Sequence, residues 1–260
     1  MQIMEVTILQ RTRAIMMQFK RVLLLVAICV MLPFFANAKV FLVSVGISDY
    51  PGKVNDLGLP AKDAQLVTWL YGQNADVKFM ELLDTNATKA NIIEAMEKIF
   101  PKAGKDDVVV LYFSGHGVPG SFCAYDEDLS YEEVRRCMSE SKSHNKMIFA
   151  DACFSGKIRT NETASEQEHS RSYEKTNVML FLSSRSNETS LEVPYMKNGL
   201  FTTYLQKGLG GRADFNNDRI ITAKEIFRYV YDNVVRMSQK KQHPVMWGKF
   251  SDDMPVISWK

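Results

Sequence analysis

Two stretches determine how this sequence is interpreted: VVVLYFSGHG at residues 108–117 and MIFADACFSG at residues 147–156. Each begins with a short apolar run, which is typical of a strand buried on both faces of a sheet. Small residues then surround one reactive side chain, His116 in the first stretch and Cys153 in the second. We predict that both side chains lie in turns at the same edge of a parallel sheet, where such sheets bind ligands.

The rest of the sequence alternates apolar runs with amphipathic stretches. Further apolar runs predict strands at residues 40–45, 77–83 and 178–182. Helical periodicity and capping patterns predict helices at residues 61–71, 90–100, 130–141, 200–209 and 222–238. This alternation is typical of an α/β fold in which helices cover both faces of a mainly parallel sheet.

The composition fits one globular domain. The chain has 260 residues, of which 46% are hydrophobic and 24% charged, and this excludes a disordered or low-complexity protein. Its formal net charge is +2, but the first 38 residues hold four bases and one acid, so the rest carries −1. Binding to phosphate backbones requires clustered positive charge. The near-neutral body therefore argues against nucleic acid as a partner.

Residues 1–38 are predicted to be a signal peptide. Bases at 20–21 precede an uncharged stretch, and Ala36-Asn37-Ala38 fits the small-x-small pattern that signal peptidase reads. Cleavage after Ala38 would export the protein to the periplasm or the medium and leave no stable membrane span. The alternative is a membrane anchor, but the 17 uncharged residues at 22–38 are interrupted by Pro33 and are short for a span.

After removal of this segment the chain has three cysteines: Cys123, Cys137 and Cys153. An odd number in an exported protein leaves one thiol unpaired unless it pairs between chains. Cys123 and Cys137 either form a disulfide or are two core residues. The odd count suggests that one thiol is kept for chemistry.

His116 and Cys153 together predict a nucleophilic site. A histidine beside a cysteine takes up or stabilises the proton that the thiol loses, and the thiolate attacks. Glycines at 115, 117 and 156 let backbone N–H groups approach a substrate carbonyl, as an oxyanion hole requires. The alternative is structural, with His116 capping a turn and Cys153 buried as a small residue. Their joint placement after successive strands favours the catalytic interpretation.

With these motifs the sequence resembles the caspase-like clan of cysteine peptidases, which includes caspases, metacaspases, clostripain and gingipains. SGHG and DACFSG are most similar to the metacaspase and bacterial caspase-homologue branch. The similarity covers nearly all of residues 39–250 and includes VFLVSVGISDY, LPAKDA, SSRSNETSLE and GLFTTYLQKGL.

The resemblance implies a caspase-like three-layer αβα sandwich at residues 39–260. It would consist of a large-subunit-like part at 39–156, a mobile loop at 157–176 and a small-subunit-like part at 177–260. Relatives are often cut in that loop during maturation, and here it contains four residues after which a basic-specific enzyme would cleave. Self-cleavage in the loop is therefore a further hypothesis.

The resemblance also implies site residues. Cys153 matches the nucleophile, His116 matches the general acid/base, and the N–H groups of Gly117 and Cys153 match the oxyanion hole. Asp63 and Asp151 match the acids that line the primary specificity pocket of metacaspases. Two carboxylates at the base of a pocket would select a Lys or Arg side chain. The alternatives are that Asp63 is a helix N-cap and that Asp151 lies in a strand-end turn.

The expected function follows from these matches. It is an exported cysteine endopeptidase, a thiol protease that cleaves proteins or peptides after Arg or Lys and requires no cofactor. The alternative is a catalytically silent caspase-fold protein that binds a partner or peptide in the same cleft.

Residues 214–225 contain a second candidate site, for Ca²⁺. Positions 1, 3, 5, 7, 9 and 12 of an EF-hand-type loop are occupied by Asp214, Asn216, Asp218, Ile220, Thr222 and Glu225. Arg219 stands at position 6, where glycine is usual. Thr222 and Glu225 also form a capping box for the next helix. Calcium binding, and with it a calcium-dependent interaction module, is a hypothesis that competes with simple helix capping.

Overall fold

The computed structural model describes residues 38–74, 76–118, 120–153, 178–184 and 197–259. Of Asn74 and Cys153 only the backbone is described. The predicted signal peptide, apart from Ala38, and the predicted loop at 157–176 lie outside these ranges. In the described part of the chain no helix is both long and apolar enough to span a membrane.

The described chain forms ten strands and five α-helices, apart from short 3-10 and π turns. The strands are β1 (Val40–Gly46), β2 (Val77–Leu83), β3 (Val108–Val118), β4 (Ser121–Cys123), β5 (Asp128–Ser130), β6 (Asn145–Cys153), β7 (Val178–Leu182), β8 (Ile220–Thr222), β9 (Val245–Trp247) and β10 (Pro255–Ser258). The helices are α1 (Pro60–Asn74), α2 (Lys89–Ile99), α3 (Tyr131–Ser139), α4 (Leu200–Lys207) and α5 (Ala223–Met237).

The central sheet has the strand order β2-β1-β3-β6-β7-β9. The first five strands of this order are parallel, and β9 is antiparallel to β7. From β1 the chain first moves outward to β2 and then returns to β3 on the other side. The carboxyl ends of β1 and β3 therefore flank a topological switch point, where doubly wound sheets bind ligands.

Helices cover both faces of this sheet. Leu42 and Val110 belong to a buried cluster with residues of α1, α4 and α5, whereas Val43 and Leu111 belong to a second cluster with residues of α2 and α3. Successive side chains of a strand point to opposite faces, so a strand between two helix layers is apolar at every position. The predicted α/β sandwich with a mainly parallel sheet is confirmed.

The local signals act as expected at several helix starts. The Thr88 side chain accepts the Asn91 N–H at the start of α2, and capping boxes at Ser130 and Thr222 begin α3 and α5. Each satisfies a backbone donor that has no partner within the helix.

The predicted turns at His116 and Cys153 are wrong. β3 continues to Val118 and β6 to Cys153, so both residues lie within strands. The ladder between β3 and β6 extends from Val108↔Asn145 to His116↔Cys153. Small residues give no apolar signal for a strand, but the ladder between these two strands continues through them.

Cys123 and Cys137 are free thiols in the structure, so they do not form the disulfide that was one of the two alternatives. Cys137 is buried in α3, and Cys123 is half-buried in β4. Burial raises the pKa of each thiol to about 11, so both are protonated at neutral pH. Neither is a thiolate nucleophile under those conditions.

Candidate active site

The candidate site lies where β3 and β6 end, beside the switch point. His116 and Cys153 are register partners on these two parallel strands. Neighbouring strands are about 4.8 Å apart, so the two backbones are in direct contact. The Cys153 side chain itself lies outside the described residues. Gly117 follows His116 in β3 and pairs with Phe122 of β4.

One ring nitrogen of His116 has a fixed partner. Nε2 lies 2.7 Å from the backbone carbonyl oxygen of Asn55. A carbonyl oxygen can only accept, so Nε2 carries a proton in this contact. In the neutral imidazole Nδ1 is then the nitrogen with the free lone pair, and it is able to act as a base.

Asn55 ends a 3-10 turn, Lys53–Asn55, in the segment after β1. Its N–H donates to Gly52 O at 2.9 Å and its side-chain amide donates to Pro51 O at 3.0 Å. Gly52 has φ 87°, in the left-handed region that glycine tolerates best. The turn therefore fixes the carbonyl that binds His116.

Tyr50, in the same segment, binds the backbone next to the site. Its hydroxyl accepts the His116 N–H at 2.9 Å and donates to Cys123 O at 3.0 Å. The sequence predicts no role for Tyr50 or Asn55. Both residues follow the carboxyl end of β1, across the switch point from His116. Since ligand sites of such sheets lie at this position, it is the signal by which the two residues could have been predicted.

The structure brings Asp63 and Asp151 together. Asp63 is the fourth residue of α1 and is 2% exposed, and Asp151 lies in β6 opposite Ser114 and is 8% exposed. A Cβ atom at Gly199 would lie 2.5 Å from Asp151 Oδ2 and 3.3 Å from Asp63 Oδ2. Both carboxylates therefore converge on Gly199, the residue before α4.

Donors of the chain itself surround this acidic pair. Asp63 accepts from Asn198 Nδ2 at 2.6 Å, from Gly199 N at 3.3 Å and from Ser114 Oγ at 3.2 Å. Asp151 Oδ2 accepts from the backbone N–H and the hydroxyl of Thr202, at 3.2 and 2.8 Å. These contacts anchor the first turn of α4, whose dipole favours negative charge.

The alternative structural roles of Asp63, as a helix N-cap, and of Asp151, in a strand-end turn, do not agree with the structure. Asp63 lies inside α1 rather than at its N-cap, because that helix begins at Pro60. Asp151 lies in a strand rather than a turn, and its carboxylate binds the first turn of a different element, α4.

The two carboxylates affect each other's protonation. Burial, and next the negative charge of Asp151, raise the pKa of Asp63 to about 8, against hydrogen bonds from Asn198, Gly199 and Ser114 that lower it. Asp63 is therefore mostly protonated at neutral pH. A cation entering between the carboxylates would favour loss of that proton.

Within residues 214–225, Thr222 and Glu225 form the capping box that begins α5. Glu225 Oε2 accepts from the N–H and the hydroxyl of Thr222, at 3.0 and 2.8 Å, and Oε1 accepts from Phe215 N at 3.2 Å. Asp214 accepts the N–H groups of Asp218 and Arg219. Among the described residues no three Asp, Glu, His or Cys side chains are grouped to hold a metal.

Comparison with known proteins gives a family and a similar solved structure. The family model described as the caspase domain matches residues 40–254. The crystal structure of a Geobacter sulfurreducens protein is similar with a TM-score of 0.63 and 17% identity, over 85% of this chain and 100% of that chain. At this identity the structural likeness concerns the fold alone. No curated protein matches.

Proposed function

This chain belongs to the caspase-domain family of peptidases, and on that premise we propose that it is a cysteine endopeptidase with Cys153 as nucleophile and His116 as general acid/base. The observation that carries the proposal is the register of β3 and β6, in which His116 and Cys153 are paired beside the switch point. Its substrates are proteins or peptides.

In the proposed reaction His116 Nδ1 removes the thiol proton of Cys153, while Nε2 stays bound to the Asn55 carbonyl. The thiolate attacks the scissile carbonyl carbon, and the N–H groups of Gly117 and Cys153 stabilise the resulting oxyanion. His116 then donates its proton to the leaving amine. Water, activated by the same imidazole, hydrolyses the thioester and regenerates the thiol. These steps need no cofactor.

We further propose cleavage after Arg or Lys, with Asp63 and Asp151 at the base of the pocket. Support comes from the convergence of the two buried carboxylates on Gly199. A guanidinium or ammonium group would replace the amide donor of Asn198 and displace the proton of Asp63. The carboxylates would then hold one cation between them, whereas an acidic side chain would be repelled.

Fluorogenic peptides that end in Arg, Lys or Asp test both parts of the proposal. We expect turnover after Arg or Lys under mild reductant, loss of it in Cys153→Ala, and retention in Cys137→Ala, which removes a buried thiol of α3. Turnover after Asp would contradict the role of the acidic pair. No turnover by a folded protein whose Cys153 alkylates would favour an uncleaved zymogen, which the loop test below distinguishes, or a silent caspase-fold protein that binds peptides.

Export is a separate proposal that rests on residues 1–38 of the sequence. Cleavage after Ala38 would release a protein that begins at Lys39 in the periplasm or the medium. N-terminal sequencing of the protein from each cell fraction tests it. An uncleaved N-terminus in the membrane fraction would indicate the anchor instead. Intact mass of the purified protein beside Cys153→Ala tests self-cleavage within the loop at 157–176.

A further inference from the structure

We infer that Tyr50 is a positioning residue for His116, an inference that rests on the peptidase function proposed above. Tyr50 is 7% exposed and lies in the segment between β1 and α1. It contacts the imidazole with its ring, the backbone of His116 with its hydroxyl, and β4 through Cys123.

The Tyr50 hydroxyl takes the place of a neighbouring strand. β1 ends at Gly46, which pairs with Ser114, and the Ile47 N–H still donates to Ser114 O at 3.1 Å. Two residues further along β3, the N–H of His116 points to the same side. There it meets the Tyr50 hydroxyl instead of a strand carbonyl. On the side of β1, where that strand has already ended, the phenol of Tyr50 therefore binds the backbone of β3.

Gly115 explains how the phenol reaches this position. A Cβ atom at residue 115 would lie 2.5 Å from the Tyr50 hydroxyl oxygen and 3.3 Å from the Phe113 ring. Such contacts are too close for any other residue without movement of the phenol. The glycine of the SGHG motif thus leaves room for Tyr50, a role separate from any contact with substrate.

The imidazole is held on more than one side. The Tyr50 ring lies 4.8 Å from the His116 ring at an angle of 48°, and the Asn55 carbonyl binds Nε2. The segment that carries both groups is itself fixed, because the N–H groups of Ser48 and Asp49 donate to Asp84 Oδ1 at 2.7 and 3.1 Å. Burial raises the pKa of Tyr50, so the hydroxyl keeps its proton for Cys123 O.

Tyr50→Phe tests the inference, because it keeps the ring and removes both hydrogen bonds. In the purified full-length protein we expect kcat to fall about 10- to 100-fold with KM little changed, as a misplaced catalytic group predicts. The ¹⁵N shifts of His116 should show one tautomer protonated at Nε2 in the parent protein and a mixture in the variant. Gly115→Ala, which displaces the phenol, should have the same two effects.

Tyr71→Phe is the matched control. Tyr71 is fully buried in α1, and its hydroxyl has no hydrogen-bond partner among the described residues. Loss of that hydroxyl should leave kcat and the ¹⁵N shifts unchanged. The inference is wrong if Tyr50→Phe lowers only the melting temperature and leaves both readouts as in the parent. If the parent cleaves no peptide, because it is an uncleaved zymogen or a silent protein, the ¹⁵N shifts still decide whether Tyr50 holds the imidazole.

Discussion

Replacement of Asp63 by asparagine should stabilise the protein at neutral pH and flatten its pH dependence. An ionised Asp63 is unfavourable because it is buried beside the charge of Asp151. Asparagine has nearly the same shape and stays neutral. Its carbonyl can accept from Asn198 and Gly199, and its amide can donate to Ser114, so the surrounding polar groups keep their partners.

The direction in which the stability changes with pH follows from the linkage between folding and proton binding. The pKa of Asp63 rises from an ordinary 3.8 to about 8 on folding. Protonated Asp63 therefore contributes its full stabilisation below the pKa of the unfolded chain, 3.8. This contribution is lost progressively as the pH rises towards the pKa of the folded protein. The slope for one proton is about 1.4 kcal/mol per pH unit, or about 3 kcal/mol between pH 5 and 7. At about 2–4 °C per kcal/mol, the melting temperature should fall by roughly 6–12 °C.

Melting curves from pH 5 to 7 measure this slope. The control is Asp252→Asn, which removes an exposed carboxylate that lies 3.5 Å from Lys224, and its slope should equal that of the parent protein. Asp63→Asn should show a smaller fall than both. Equal slopes in Asp63→Asn and the parent would refute the idea that folding raises the pKa of Asp63.

Two further predictions concern Gly199 and the loop at 214–225. Gly199→Ala should abolish cleavage after Arg and lower the free energy of unfolding by about 1–3 kcal/mol, because the new Cβ would lie 2.5 Å from Asp151 Oδ2. Peptide assays and melting curves measure the two effects, and an unchanged preference for Arg would contradict the prediction. Millimolar calcium should not shift the melting temperature, since both Glu225 oxygens already accept hydrogen bonds. A calcium-dependent rise that Glu225→Gln removes would establish the EF-hand interpretation.

Much of the fold could be predicted because its signals are local. β7 has the predicted bounds, 178–182, since a strand covered by helices on both faces is apolar throughout. β2 also has the predicted bounds, 77–83, although it is an edge strand with Lys78 and Glu81 among its apolar residues. Pairing between distant segments is not a local signal. The β4–β5 hairpin, β9 and the β8–β10 pair were therefore not predicted from the sequence.

The candidate site likewise contains residues that could be predicted from local sequence and residues that could not. His116 and Cys153 carry recognisable chemistry in short motifs of small residues that follow apolar runs. Their position at the same edge of the sheet was therefore predictable, even though the strands extend further than expected. Asn55 acts through a backbone carbonyl, which every residue possesses, and Tyr50 acts through a contact 66 residues along the chain. That α4 supplies donors to the acidic pair was likewise not predictable, because these contacts join segments 51 to 136 residues apart.

The register of β3 and β6 relates specificity to catalysis. Ser114 pairs with Asp151, and two residues later His116 pairs with Cys153. Asp151 of the proposed cation site and the proposed nucleophile therefore lie on the same strand, β6, separated by about 6–7 Å of rise. Asp63 of α1 joins them by accepting from Ser114 of the neighbouring strand. The four-carbon stem of a lysine or the guanidinium of an arginine can span that separation, whereas the short side chain of an aspartate cannot. On the proposed function, selection for basic residues thus has two independent causes, the charge of the acidic pair and its depth below the reacting carbonyl. Replacing Asp63 weakens only the first cause, because the side chain at this position can then no longer ionise beside a bound cation while the charge of Asp151 remains. Asp63→Asn should therefore lose affinity for Arg peptides without gaining turnover after Asp.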